Sequence, residues 1–317
     1  MKTCACHDLE INSLKRGDRY DPTHTTSLRN AFVRDLNRRF RRLKASITRA
    51  IVDKDCFGLQ NNGPVVMADP FPRQFDFPRS ADKVDEFMLW LSIQIKKEFL
   101  ETVVIPQLGQ AIESNWTNLY IADSYKRGII RARVSARKAH YKIPSLSETG
   151  GIEASMSLPF HVDRVGLLYT RVFSGLKGIT DAMSNQIAQV LAQGMADGDS
   201  PAEIARMLRN TVSNGLGASE LGKSLGRTVS AEQRARTLAR TEIIRAHHQA
   251  MVQEYRNWEV ENVLVQAEWV TAGYNVCPRC LAHEGKIFTL DAIQNMIPLH
   301  PNCRCCMIPV DVTEEVK

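Results

Sequence analysis

No stretch of this 317-residue sequence holds the roughly eighteen consecutive apolar residues that a membrane-crossing helix needs. A bilayer-spanning function is therefore not expected. The opening residues, Met1-Lys2-Thr3-Cys4-Ala5-Cys6-His7, lack the apolar core of a secretory signal. The expectation is a protein made and kept in a reducing cytoplasm, where clustered cysteines are more often metal ligands than disulfides. Aromatic residues are scarce at 7%, yet hydrophobic content is an ordinary 44%, which argues against fibrous and disordered classes. The length is enough for two compact units. Acidic residues are outnumbered by Lys and Arg, 35 to 41, and the net charge of +6 suits a polyanionic partner.

Cysteine is sparse as well, but it is not scattered. Five of the eight cysteines lie between 277 and 306, in Cys277-Pro278-Arg279-Cys280 and His300-Pro301-Asn302-Cys303-Arg304-Cys305-Cys306. Two cysteines separated by two residues can turn both sulfurs toward one point, and a second pair from a later loop then completes a tetrahedral shell. Zinc accepts this mixture of thiolate and imidazole. The first choice of ligands is Cys277, Cys280, His300 and Cys303. Cys305 is the rival for the fourth place, on the expectation that an alternating pair at 303 and 305 on an extended segment points to opposite sides and only one faces the metal. A disulfide or plain buried thiols are the alternative. A closed four-ligand shell would be a structural clasp rather than a catalyst.

At these residues the sequence resembles the Mu F-like minor head (head morphogenesis) proteins of tailed bacteriophages. The resemblance is carried by an ordered set: Ala239-Arg240-Thr241-Glu242, Trp269, Cys277 to Cys280, Gly285-Lys286-Ile287-Phe288, and a closing Leu299-His300-Pro301-Asn302-Cys303-Arg304-Cys305. It covers about the last eighty residues firmly, and 160–230 match only in helical style. Cys306 is an extra thiol beyond the family pattern. The resemblance implies a structural protein of the virion, present in few copies at or inside the portal vertex. Portal or major capsid protein, and packaged DNA, are its implied partners, with host cytoplasm as the place of assembly.

Elsewhere the sequence reads as helical. In 1–60, Asp21-Pro22-Thr23 opens a helix whose Leu28, Phe32, Leu36, Phe40, Leu43, Ile47 and Ile51 recur every three or four residues as one buried stripe. Its other faces carry Arg29, Arg34, Arg38, Arg39, Arg41, Arg42, Lys44 and Arg49, a solvated or DNA-facing surface. Residues 61–80 form a linker or arm, broken by Pro64, Pro70, Pro72 and Pro78 around Phe71, Phe75 and Phe77.

In 81–150, helical spacing runs to 105 through Val84, Met88, Leu91, Ile95 and Phe99. After a kink or break at Pro106 come Trp116, Tyr120 and Tyr125, then a second basic helix with Lys126, Arg127, Arg131, Arg133, Arg137, Lys138 and Lys142. Residues 151–229 hold a long helix over 162–195 with Val172, Leu176, Ile179, Met183, Ile187 and Val190 on one side. A short helix follows, capped by Ser200, Pro201 and Glu203. The module at 230–317 opens with a capping box at Ser230. A helix striped by Leu238, Thr241, Ile244, His248, Met251, Tyr255 and Trp258 follows, then a strand with Val265, Ala267 and Trp269 on one side, a hairpin return at Gly285, and an edge strand holding Pro309.

The expected fold class is thus mostly α with a small α+β C-terminal module, a few short antiparallel strands clamped by a Cys/His zinc site. Such a sheet is marginal alone, which gives a clasp a physical task.

Enzyme readings find little support. Gly217-Ala218-Ser219-Glu220-Leu221-Gly222-Lys223-Ser224 spells a phosphate-binding loop, but a helix rather than a strand is expected to lead into it. A zinc deaminase needs His-x-Glu ahead of Pro-Cys-x-x-Cys, and here His283-Glu284 comes after the knuckle. A zinc-supported nuclease could use His300 as a base, with no partner in view. His247 and His248 lack a nucleophile or ligand at helical spacing, and the N-terminal Cys4, Cys6 and His7 read as an unstructured tail.

Overall fold

The apolar rhythm that begins at Leu28 is carried by a helix anchored several residues upstream. The computed structural model describes residues 21–59, 80–107, 110–214, 229–259, 265–273 and 275–310. In it, α1 spans Thr26–Thr48 and runs on as a π-helical turn over Arg49–Asp53. The Asp21 carboxylate accepts from the Thr26 amide at 2.9 Å and from the Thr23 hydroxyl at 3.1 Å, serving donors the helix start leaves unpaired. All seven residues of the stripe are buried.

The remaining helices are α2 (Ser80–Phe99), α3 (Asn118–Lys138), α4 (Gly151–Met156), α5 (Pro159–Ala196), α6 (Pro201–Asn214), α7 (Ala231–Glu259), α8 (Pro278–Leu281) and α9 (Leu290–Ile293). The strands are β1 (Thr102–Gln107), β2 (Gln110–Asn115), β3 (Gln266–Val270), β4 (Ile287–Thr289) and β5 (Cys306–Pro309). The expected class holds: the chain is mostly helical, with short antiparallel strands near its C-terminus. Cys4, Cys6 and His7, the Pro/Phe stretch over 61–79, and the Gly-Lys-Ser loop at 217–224 lie outside the described residues.

Helical spacing misleads after Phe99. The chain does not stay helical to 105 but turns into β1, which contains Pro106 and pairs with β2 in a two-stranded sheet. The β-branched run Thr102-Val103-Val104-Ile105 favours extended backbone over helix, because branching at Cβ crowds the preceding helical turn.

Packing divides the chain into two units, each assembled from separated stretches. One comprises Met1–Phe32, Val104–Val172 and Ala239–Lys317; the other comprises Val33–Val103 and Phe173–Leu238. In the second unit, Phe40 of α1 meets Phe99 of α2 with ring centroids 4.5 Å apart, and Phe57, Phe87 and Trp90 form a further aromatic chain. The Lys44 ammonium donates to Glu232 at 2.6 Å and to the Ser213 hydroxyl at 2.7 Å. The Ser200 hydroxyl caps α6 by accepting from the Glu203 amide at 3.3 Å. Glu203 does not complete the expected capping box, since its carboxylate is taken by Arg206, one turn along. Ser230 caps α7 through the Gln233 amide at 3.1 Å.

In the first unit α7 is buried on nearly every side, not along one stripe: Ala239, Glu242, Ile243, Ile244, Ala246, His247, His248, Ala250, Met251 and Glu254 are all inside. Helix α3 crosses it closely at Gly128. A Cβ there would stand 2.6 Å from the Ala250 Cβ and collide with the His247 carbonyl, and the Ser124 hydroxyl donates to the Ile243 carbonyl at 2.6 Å beside it. Gly128→Ala is therefore expected to lower stability by about 1–3 kcal/mol, because overpacking outweighs the helix propensity gained. Urea denaturation checks it, and a midpoint at or above the wild type would contradict the close crossing.

Two arginines assigned from sequence to basic outer faces are in fact buried. Arg29 is held by Thr26 and Asp21. Arg133 belongs to an interior network with Glu254 (Nε to Oε1, 2.5 Å), the Ser155 hydroxyl and Thr149, while its guanidinium lies 5.4 Å from the Trp258 ring centroid. The other Glu254 oxygen meets His161 Nε2 at 3.0 Å, and Tyr125 Oη lies 2.9 Å from His161 Nδ1. Despite the burial of its carboxyl, hydrogen bonding with His161 and the charge of Arg133 hold the Glu254 pKa below its ordinary value.

The C-terminal strands form an antiparallel sheet in the order β4-β3-β5, with Ala267 opposite Phe288 and Trp269 opposite Met307. Pro309 lies on edge strand β5, where its missing amide is tolerated. Val265, Ala267 and Trp269 all face inward as their alternation predicts, and join Met251, Tyr255, Trp258 and Ile293 in one core that also takes in Cys280, Cys303 and Cys305.

Candidate metal centre

Each sulfur of the knuckle is aimed by local backbone. Cys277 sits at the N-cap of α8 with Pro278 at the first helical position, and its Sγ accepts from the Cys280 amide at 3.4 Å. Proline suits that place because its fixed φ is already helical and the amide it lacks would be unpaired anyway. Glycine at 285, with φ 70°, closes the loop: its amide donates to the Trp269 carbonyl at 2.9 Å while the Trp269 amide donates to the Lys286 carbonyl.

The second loop carries His300 to Cys305 between α9 and β5. The Cys303 amide bonds the His300 carbonyl at 3.1 Å around Asn302, whose φ is 61°. The Asn302 amide in turn donates to the Thr241 hydroxyl at 3.0 Å. That contact explains one letter of the Ala-Arg-Thr-Glu run: α7 holds the ligand loop by its backbone. Ala239 is buried against the core, and Glu242 is buried and paired with Arg171 (3.1 Å) and, as its spacing allows, Arg245 (3.3 Å).

All five expected residues converge, and Cys280 is the hinge between two sets. Cys277, Cys280 and His300 form one group, and Cys280, Cys303 and Cys305 another, with ligand atoms in each set within 4.8 Å of one another. His300 Nε2 lies 3.2 Å from Cys277 Sγ and 3.1 Å from Cys280 Sγ, and Cys280 Sγ is 3.9 Å from Cys303 Sγ. His300 Nδ1 donates to the Pro301 carbonyl at 2.8 Å, which leaves the Nε2 lone pair directed at the thiols.

The sequence expectation that only one of Cys303 and Cys305 faces the cluster is corrected. Side chains of an extended segment alternate with period two, so residues two apart share a face, and both sulfurs reach Cys280 just ahead of the strand that begins at Cys306. Cys306, the extra thiol, is buried on β5, and burial pushes its pKa up to about 12. The Cys277 thiol is held below its ordinary value chiefly by the Cys280 amide. Hydrogen bonding between Cys303 and Cys305 lowers the first and raises the second.

Residues 185–308 match the family model of Phage Mu protein F like protein. This stretch is Mu F-like. No curated protein and no solved structure matches the chain. The Mu F-like segment takes in the last third of α5, all of α6 and α7, and the sheet with its Cys/His cluster as far as Ile308, and so reaches farther upstream than the sequence motifs alone. The match covers 124 of the 317 residues.

The other candidates fall into structural places. His247 and His248 are buried on α7, where burial depresses their pKa values to about 3 and about 4, and His248 Nε2 meets the Ile293 carbonyl at 3.1 Å. His283 packs against Trp269 with ring centroids 5.0 Å apart, and the Glu284 carboxylate accepts from the Thr271 amide at 2.8 Å. The element before the Gly-Lys-Ser loop is helix α6, not the strand that a phosphate cradle requires. The buried Tyr125, His161, Glu254 and Arg133 network was missed from sequence, where its members lie up to 129 positions apart and share no spacing rule.

Proposed function

We propose that this chain is a structural minor head protein of a tailed phage, associated with portal or capsid shell, whose C-terminal sheet is clasped by one zinc ion. The observation that carries the reading is the coincidence of the Mu F-like match with the converging Cys/His set. Three or more thiols with one imidazole suit zinc, and tetrahedral bonds of ordinary length would place two sulfurs about 3.8 Å apart, close to the Cys280 to Cys303 separation. Cys277, Cys280 and His300 would hold the ion, with Cys303 or Cys305 as the fourth ligand. A shell closed by protein ligands makes zinc a fold-supporting element rather than a Lewis acid. As a nuclease base His300 is poorly placed, since one nitrogen is turned to the thiols and the other is bonded to the Pro301 carbonyl.

Mass spectrometry of purified virions and deletion of the coding sequence test the proposal together. The chain should be present at far lower copy number than the shell protein. Its loss should yield defective or non-infectious heads while phage DNA replication continues. Particles that lack the chain yet package and eject DNA normally would overturn the head assignment.

A further inference from the structure

Helix α1 carries its charge in one line. Between positions 34 and 49, Arg34, Arg38, Arg41, Arg42 and Arg49 are exposed, and at the helical turn per residue they fall within an arc of about 100° along about 22 Å of axis. Ala45 is the one other residue in that arc. The buried Leu36, Phe40, Leu43 and Ile47 occupy the opposite side, and Arg39 turns away to the Glu98 carbonyl. Arg38 pairs with Asp35 at 2.6 Å and Arg42 reaches Glu98 at 3.7 Å. Arg34, Arg41 and Arg49 have no acidic partner among the described residues. Arg209 of α6 adds a further guanidinium at the same end, 2.8 Å from the Thr48 hydroxyl.

The second basic helix is different. On α3, Lys126 pairs with Glu153, Arg127 with Asp123, Arg133 with Glu254 and Arg137 with Glu148. The two helices look alike in sequence, and both carry paired cations, but only α1 sets five exposed arginines in one arc, three of them without an acidic partner among the described residues. Like charges a turn apart destabilise a helix, so the row on α1 is unfavourable until an anion lies along it. We propose that this arginine row is a contact surface for the phosphate backbone of duplex DNA, without sequence preference. Guanidinium forks match phosphate oxygens. The arc offers no apolar anchor larger than Ala45, whereas a protein partner is usually held by buried aromatic or aliphatic side chains.

The biological setting of the contact rests on the proposed head role, but its test uses purified full-length protein, so each can fail alone. Fluorescence anisotropy would be recorded with two 30-base-pair duplexes of unrelated sequence between about 50 and 200 mM salt, a range over which phosphate contacts weaken steeply. Both duplexes should bind equally, with a log–log salt slope of about −4 if four or five phosphates are neutralised. The triple variant Arg34→Gln, Arg41→Gln and Arg49→Gln, shown by circular dichroism to keep its helix content, should bind at least about 30-fold more weakly at low salt and flatten the slope by about 2–3. Neutralisation of Lys126 and Arg137 on α3 to glutamine should change affinity less than about threefold, as each is already paired with an acid. Unchanged binding in the α1 variant, or an equal loss in the α3 variant, would refute the assignment. So would tighter binding of polyglutamate than of duplex.

Discussion

Cys280→Ser in the full-length protein is expected to abolish binding of one zinc per chain and to unfold the C-terminal sheet. Cys280 is the residue common to both sets of converging ligands, so no rearrangement among the others replaces it. Structural zinc in small metal-dependent peptides contributes about 10–16 kcal/mol, on the scale of a whole domain's stability of about 5–15 kcal/mol. Three short strands cannot make up such a loss. Metal analysis of protein purified without chelator, together with near-ultraviolet dichroism of the buried Trp269, reads both effects. Cys306→Ala should keep the metal, because Cys306 lies outside both sets. Single serine variants at 303 and 305 should separate ligand from bystander. A wild-type protein free of zinc would sink the clasp.

Glu254→Ala is expected to cost about 3–5 kcal/mol, since it leaves the Arg133 guanidinium, 3% exposed, without its counter-charge. The same substitution removes the partner of His161 Nε2 and of the Trp258 indole, which donates to Glu254 at 3.3 Å. Glu254→Gln keeps the shape and loses the charge, so it should fall between the two. Urea denaturation followed by tryptophan fluorescence measures both. A loss under about 1 kcal/mol for the alanine variant would mean that the network contributes little to the fold, as for an exposed ion pair.

The local signals were legible because they depend on neighbours in sequence. The stripe of α1, the serine caps of α6 and α7, the inward set Val265, Ala267 and Trp269, and the edge position of Pro309 all follow from periodicity and backbone chemistry. The five metal-ligand candidates were named for the same reason: spacing within 277–280 and 300–305 is local, and the structure brings all five to one place. Local reasoning failed where two conformations compete, as after Phe99, and where it set Cys303 and Cys305 on opposite sides, although residues two apart on extended backbone share a face.

By itself, then, the sequence determined the helical class, the small strand module, the membership of the Cys/His set and the resemblance to head morphogenesis proteins. Tertiary structure alone decided which charges survive. Arg29 and Arg133 are drawn inside and paired, Lys126 and Arg137 of α3 meet acids that lie beyond their own helix, and Arg34, Arg41 and Arg49 remain in the open. A charge's fate depends on burial and on the acid that lies beside it. Those neighbours are set by packing between segments far apart in the chain, and no spacing rule along one helix encodes them.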